Sequence, residues 1–147
     1  MTDFMSLALE EAKAAAVRGE VPIGAVLVGL DGKILAQSGN RTEALADPTA
    51  HAEILVIREA AAIRLSPRLN DCDLYVTLEP CAMCAAAISF ARLRRVIFGA
   101  YDPKGGAVDH GPRFFSQSTC HHVPEIIGGV EESRTGELLK KFFAELR

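Results

Sequence analysis

Two short motifs about thirty residues apart constrain this chain more than any other feature of its sequence. They are His51-Ala52-Glu53 and Pro80-Cys81-Ala82-Met83-Cys84. An apolar, alanine-rich run at 85–91 follows the second motif and predicts a helix, which places both cysteines at its first turn. The unpaired backbone N–H groups and the positive end of the helix dipole at that turn favour thiolate over thiol. Because zinc binds cysteine as thiolate, the pattern predicts a metal site.

His51, Cys81 and Cys84 would supply three zinc ligands, whereas structural zinc sites use four. A site with three protein ligands keeps one position for water, as catalytic zinc sites do. Glu53 follows His51 by two residues, so we predict that its carboxylate carries protons to and from that water. The sequence therefore predicts an enzyme with one zinc ion per chain.

The cysteine pair has two less specific interpretations. A redox-active C-x-x-C pair would leave His51 and Glu53 unexplained. A closed structural zinc site would need a fourth ligand, and no second half-motif lies at ligand spacing. The remaining candidates for that ligand are Cys72, Cys120, His121 and His122. We expect Cys72 to be a small buried residue and the 120–122 cluster to lie in a loop or at the surface.

Length and composition predict one globular domain, residues 1–147, of a cytoplasmic protein. About half of the residues are hydrophobic (49%) and 24% are charged, which is typical of a packed domain and not of a disordered chain. No apolar stretch approaches the roughly 20 residues that span a bilayer, and residues 1–11 lack the basic start of a signal peptide. The net charge of −3 means that any nucleic-acid binding must come from local contacts.

The order of predicted elements indicates an α/β fold built on one mixed sheet with helices on both faces. Strands are predicted at 22–28, 33–37, 74–78, 95–99 and around 126–127, and the first two form a hairpin across a Leu30-Asp31-Gly32-Lys33 turn. Helices are predicted at 5–18, from Pro48 with Asp47 as N-cap to about Leu65, at the run after Cys81, and at 134–146. The Gly- and Pro-rich stretch 102–112 is predicted to be a loop at the rim of a substrate site.

These motifs carry a family resemblance. The pattern H-x-E…P-C-x-x-C is a known signature of zinc deaminases. The chain resembles the bacterial tRNA-specific adenosine deaminases, within the cytidine deaminase-like superfamily, over nearly its whole length. The zinc signature identifies only the superfamily, and the stretches 77–81 and 99–104 point to the tRNA-editing branch. Similar stretches lie at 20–26, 40–41, 47–54, 74–84, 98–100 and 102–107.

The resemblance implies a three-layer α/β/α sandwich around a five-stranded mixed sheet, a homodimer, and hydrolytic conversion of adenosine to inosine at the wobble position of a tRNA anticodon. It implies that His51, Cys81 and Cys84 bind zinc and that Glu53 is the proton donor.

The resemblance also suggests residues that would contact RNA. Asn40 matches the position that contacts the target nucleotide, and Phe142 with Phe143 matches an aromatic pair near the RNA. Lys104 and Arg92 are candidates for phosphate contact.

Two other classes of function remain open from the sequence. A deaminase of a free base or nucleoside, of the guanine or cytidine type, would share the metal site and differ only at its rim. A zinc-stabilised binding domain without catalysis would share the metal ligands alone.

Overall fold

The computed structural model describes residues 2–146 and contains one five-stranded sheet. Met1 and Arg147, the two ends of the predicted 1–147 domain, lie outside the described residues. The strands are β1 (Gly24–Val28), β2 (Ile34–Gly39), β3 (Asp73–Leu78), β4 (Arg95–Ala100) and β5 (Glu125–Ile127). The helices are α1 (Phe4–Val17), α2 (Ala52–Arg64), α3 (Ala82–Ala91) and α4 (Glu132–Glu145), with a short 3-10 turn at Phe114–Ser116.

The sheet has the strand order β2-β1-β3-β4-β5 and is mixed, as predicted. β1 pairs antiparallel with both β2 and β3, whereas β3, β4 and β5 run parallel. The predicted hairpin is confirmed by the β1–β2 register, in which Gly24 faces Gly39. Parallel neighbours cannot be joined by a tight turn, and α3 supplies the crossover between β3 and β4.

Helices cover both faces of the sheet and give the predicted three layers. Successive residues of β1 point to opposite faces, so each face receives its own apolar set. On one face, Leu27 of β1 lies in the same apolar cluster as Val56 of α2 and Ile88 of α3. Val26 packs on the other face against Met5 of α1, with Leu138 of α4 beside it. This confirms the α/β/α sandwich.

One predicted boundary is wrong, and it bears on the metal motif. Helix α2 begins at Ala52 and not at Pro48, because the side chain of Asp47 accepts hydrogen bonds from the backbone N–H and hydroxyl of Thr49 and closes a local turn. The chain then stays extended at His51 (φ −72°, ψ 151°), which becomes the N-cap residue. The imidazole therefore stands at the helix end and not within its first turn.

None of the helices within residues 2–146 is both long enough and apolar enough to cross a membrane.

Candidate metal centre

The two sequence motifs lie at the N-termini of two neighbouring helices. His51 is the N-cap residue of α2, and Cys81 is the N-cap residue of α3, shortly after β3 ends at Leu78. Cys84 lies in the first turn of α3 and is fully buried. Because α2 and α3 pack together on one face of the sheet, their N-termini bring the three side chains to one point.

The distances between these side chains fit a zinc ion. Nδ1 of His51 lies 3.6 Å from Sγ of Cys81 and 3.6 Å from Sγ of Cys84. A sulfur and a nitrogen bound to one tetrahedral zinc are expected about 3.5 Å apart, from bond lengths of about 2.3 and 2.0 Å. The three ligand atoms all lie within 4.8 Å of one another, and residues 2–146 contain no other such group of His, Cys, Asp or Glu.

The residues considered as a fourth ligand lie elsewhere. Cys72 is fully buried, as predicted, and its thiol contacts Asp71. Sγ of Cys120 lies 3.6 Å from Oγ of Ser89, and the His122 ring lies 2.7 Å from the carbonyl oxygen of Leu93. The donor set is therefore two sulfurs and one nitrogen, a combination that zinc accepts.

Local electrostatics favour thiolate at this point. The hydrogen bond from Cys84, with that from His51, lowers the pKa of Cys81 to about 4 despite partial burial. The same contact with Cys81 is the main reason that the pKa of Cys84 is raised. The pKa of His51 is raised chiefly by its hydrogen bond with Cys81. A thiolate beside an imidazole is the arrangement that a borderline metal ion requires.

Glu53 lies in the first turn of α2 with only 4% of its surface exposed. Within residues 2–146, its Oε1 atom has no hydrogen-bond partner. Burial raises the pKa of this carboxyl to about 7. A carboxyl with a pKa near neutrality can both accept and donate a proton under physiological conditions.

A small cavity joins Glu53 to the metal ligands. Its volume is about 130 Å³, enough for a few water molecules. The lining residues are Ile23, His51, Glu53, Leu78, Glu79, Cys81, Asp102 and Gly105. The predicted rim loop thus contributes Asp102 and Gly105 to the wall opposite α2.

Glu79 has a role at this wall that the sequence did not reveal. Its carboxylate is buried and accepts hydrogen bonds from the backbone N–H groups of Asp102, Val108 and Asp109. Burial alone would raise its pKa, but these bonds and one from His110 outweigh burial and lower it. The glycine at position 106 is the one sequence feature that reflects this contact. A Cβ there would lie 2.5 Å from Cδ of Glu79, so a larger residue would collide with the carboxylate.

Asn40 is 5% exposed and follows β2. Its Oδ1 accepts a hydrogen bond of 2.8 Å from the backbone N–H of Ala52, so it fixes the start of α2 beside His51. This scaffold contact was not predicted, since sequence reasoning assigned Asn40 only a nucleotide contact.

Lys104 and Phe143 line one groove, whereas Phe142 does not. The groove has a volume of about 660 Å³ and shares Ile23, Leu78 and Asp102 with the small cavity. Phe142 lines a separate cleft between α1 and α4. The predicted aromatic pair is therefore split between two surfaces, and the structure places Phe143 alone on the groove.

Comparison with known proteins agrees with this fold and site. A family model described as the cytidine and deoxycytidylate deaminase zinc-binding region matches residues 1–100. A tRNA-specific adenosine deaminase from Agrobacterium fabrum is 63% identical over 146 residues, covering 99% of this chain and 95% of the relative. The chain therefore belongs to the zinc-binding cytidine and deoxycytidylate deaminase family, in the branch of the tRNA-specific adenosine deaminases.

Solved structures with the same fold include one from the tRNA-editing branch and one with another substrate. A structure from a study of A-to-I editing by tRNA:A34 deaminases at the wobble position of transfer RNA is 64% identical. It superposes with a TM-score of 0.90, covering 92% of this chain and 98% of its own. A guanine deaminase from Bacillus subtilis is 30% identical with a TM-score of 0.68, covering 99% of this chain and 94% of its own. The fold is therefore that of the deaminases, and the family model that matches the chain is a zinc-binding region.

Proposed function

We propose that this chain catalyses the hydrolytic deamination of adenosine to inosine at wobble position 34 of a tRNA and releases ammonia. The observation that carries the proposal is the buried Glu53 carboxyl, whose unpaired Oε1 borders the same cavity as His51 and Cys81. The 63% identical relative is a tRNA-specific adenosine deaminase, which supports the choice of substrate.

His51, Cys81 and Cys84 would hold one zinc ion per chain. Zinc in such a site acts as a Lewis acid that makes water a competent nucleophile near pH 7. The family model's description as a zinc-binding region and the donor set of two thiolates and one imidazole both support this metal. With three protein ligands, the site keeps the open coordination of a catalytic centre.

Glu53 would move the protons. Its carboxylate takes a proton from the attacking water and delivers it to the purine ring, and it then helps ammonia to leave. The reaction replaces the amino group on C6 of adenine with the oxygen of water. The pKa of about 7 suits a group that must be both base and acid in one turnover.

The groove beside the cavity would hold the nucleotides around the reacting base. Lys104 offers a charge for phosphate, and Phe143, which is 46% exposed, offers a ring for stacking. Asn40 lies beside His51 and is the residue that we propose to contact the target nucleotide, in addition to its bond to Ala52. A hairpin loop presents unpaired bases, so moving one into the cavity costs less than it would in a duplex.

We further infer that the chain is a single domain, acts in the cytoplasm where tRNA is processed, and forms a homodimer. Large apolar side chains on α2 and α3 support a dimer, since Phe90 is 71% exposed and Ile63 is 56% exposed. Sedimentation of the purified protein at several concentrations tests the oligomeric state.

The function is tested by one assay panel under one buffer: an anticodon stem-loop with adenosine at the wobble position, free adenosine, guanine and cytidine. We expect the stem-loop to be deaminated far faster than the free compounds, because only it contacts the groove. Good turnover of guanine or cytidine with no reaction of the stem-loop would replace this proposal with a small-molecule deaminase. Zinc bound without any deamination would leave a zinc-stabilised binding domain.

A further inference from the structure

The Glu79 carboxylate holds one continuous loop by all of its hydrogen bonds. Oε1 accepts from the N–H of Asp102 at 3.0 Å, and Oε2 accepts from Val108 and Asp109 at 3.1 and 2.9 Å. The fourth donor is Nδ1 of His110, which lies 2.8 Å from Oε1. Both ends of the loop that contains Lys104 are therefore tied to one side chain, which is itself only 2% exposed.

His110 is the only side chain among these donors, and 33% of that side chain is exposed. An ionised carboxylate only accepts hydrogen bonds, so Nδ1 of His110 carries the proton in this contact. The ring of His110 meets the ring of Tyr101 edge to face, with 6.1 Å between their centroids. Tyr101 in turn lines the groove with Lys104 and Phe143.

Tyr101 has little freedom on its other side. Its ring packs edge to face against Phe98, at 5.1 Å between centroids. A Cβ at Gly128 would lie 2.8 Å from the Tyr101 hydroxyl, so the backbone approaches closely there. The position of the Tyr101 ring is therefore set by Phe98, Gly128 and His110 together.

We propose that Glu79 and His110 form a latch that positions Tyr101 and the 102–110 loop for binding the nucleotides that flank the reacting base. Both are positioning residues, because the Glu79 carboxylate is occupied by its bonds to the loop, and the metal ligands and Glu53 lie at the N-termini of α2 and α3. The inference rests on the proposed function for its substrate, but the latch itself can be tested without substrate.

If the latch exists, loss of the His110 contact should change KM and not kcat. Without the His110 contact the loop would sample more conformations, and the flanking nucleotides would have to order it on binding. Once the substrate is bound, the reacting base lies beside the same metal ligands and the same Glu53 in the variant as in the wild type. Loss of the contact should therefore raise KM and leave kcat nearly unchanged.

The test compares His110→Leu with His110→Asn in the full zinc-loaded protein. Asparagine carries an N–H donor at the same number of bonds from Cβ as Nδ1 of histidine, whereas leucine has the same branched shape without a donor. His121→Leu is the matched control, because His121 is exposed on the surface and lies outside the site. The measurements are amide hydrogen exchange of the free protein, zinc content, and kcat and KM on the anticodon stem-loop.

We expect exchange at Val108 and Asp109 to be about tenfold faster in His110→Leu, as for a lost hydrogen bond to a charged group. KM should rise by about tenfold with kcat within about twofold and zinc unchanged, and His110→Asn should restore both values. Unchanged exchange in His110→Leu, a fall in kcat alone, or no recovery in His110→Asn would each overturn the latch. If wild-type protein does not act on the stem-loop, the proposed function and the flanking-nucleotide role fail, while exchange still decides whether the latch exists.

Discussion

The side-chain oxygen of Asn40 accepts a hydrogen bond of 2.8 Å from the backbone N–H of Ala52, the residue that separates His51 from Glu53. The backbone of Asn40 is itself held, since its N–H donates to Ile23 and its carbonyl oxygen accepts from Arg18. The end of β2 therefore fixes the start of α2, and with it the direction in which both functional side chains leave the helix.

The first prediction separates the two roles of Asn40. Asn40→Ala leaves the buried N–H of Ala52 without an acceptor and should lower the free energy of unfolding by about 1–3 kcal/mol. Asn40→Asp keeps an acceptor but loses the amide donor, so its stability should stay near that of wild type while turnover on the stem-loop falls. Urea unfolding and steady-state kinetics measure the two effects. Equal loss of stability in both variants would contradict the scaffold contact.

The second prediction concerns the metal. We expect one zinc per chain by elemental analysis and its loss in Cys84→Ala, because removal of one of three protein ligands leaves too few. Cys120→Ala is the control and should keep full zinc content, since this thiol contacts Ser89 and lies outside the cluster. Loss of zinc in the Cys120 variant would mean a fourth protein ligand and a closed, structural site.

The third prediction concerns Glu53. Glu53→Gln should lower turnover by at least roughly 10²–10⁴-fold, because the amide cannot carry protons at this position. The variant should keep its zinc and its fold, since glutamine has nearly the same size and the unpaired Oε1 is not bonded to the scaffold. Deamination rate and metal content on the same preparation decide the role: retained turnover, or lost metal, would refute it.

The fourth prediction is a pH dependence of stability that arises at Glu20. This buried carboxylate accepts hydrogen bonds from the N–H groups of Glu43 and Ala44 and from the Thr42 hydroxyl. Burial opposes its ionisation, but these bonds outweigh burial and lower its pKa below the usual 4.5. Because the pKa of Glu20 is lower in the folded protein than in the unfolded chain, ionised Glu20 adds to the free energy of unfolding. This contribution is complete above about pH 4.5 and is lost as the pH falls through the folded-state pKa.

Glu20→Gln tests this directly by thermal unfolding between pH 3 and 7. At pH 7 the variant should be less stable by roughly 1–2 kcal/mol, because one strong acceptor is lost. The difference between wild type and variant should shrink as the pH falls below about 4.5. A difference that stays constant with pH would assign the effect to packing and not to the charge.

The fifth prediction uses the different surfaces that Phe142 and Phe143 line, although their rings meet edge to face at 5.4 Å between centroids. Phe143→Ala should weaken stem-loop binding by about tenfold, as for one lost stacking contact, with little change in stability. Phe142→Ala should mainly lower stability, because this ring lies in the cleft between α4 and α1. Binding and unfolding measured on both variants give opposite patterns if the groove is the RNA site. If both variants bind the stem-loop equally well, the RNA does not bind in this groove.

The grouping of His51, Cys81 and Cys84 could be predicted because each half of the pattern is local in sequence. Each half-motif lies in a few consecutive residues at the start of a helix, where unpaired N–H groups and the helix dipole favour thiolate. The alternation of apolar residues and the Asp31-Gly32 turn likewise identify the β1–β2 hairpin from neighbours in sequence. Even so, the sequence predicts that α2 starts at Pro48 and the structure starts it at Ala52, because the competing Asp47–Thr49 turn has the same sequence signal as a helix cap.

What the sequence determined by itself was the set of ligand types, the order of elements and the hairpin. Only the tertiary structure decided that Asn40 bonds Ala52, that Glu79 holds residues 102–110, and that Phe142 and Phe143 face different surfaces. These contacts join residues that are far apart along the chain; Glu79 and Asp102, for example, are separated by 23 positions. Their geometry depends on how strands and helices pack, and no local propensity of Asn, Glu or Phe specifies it.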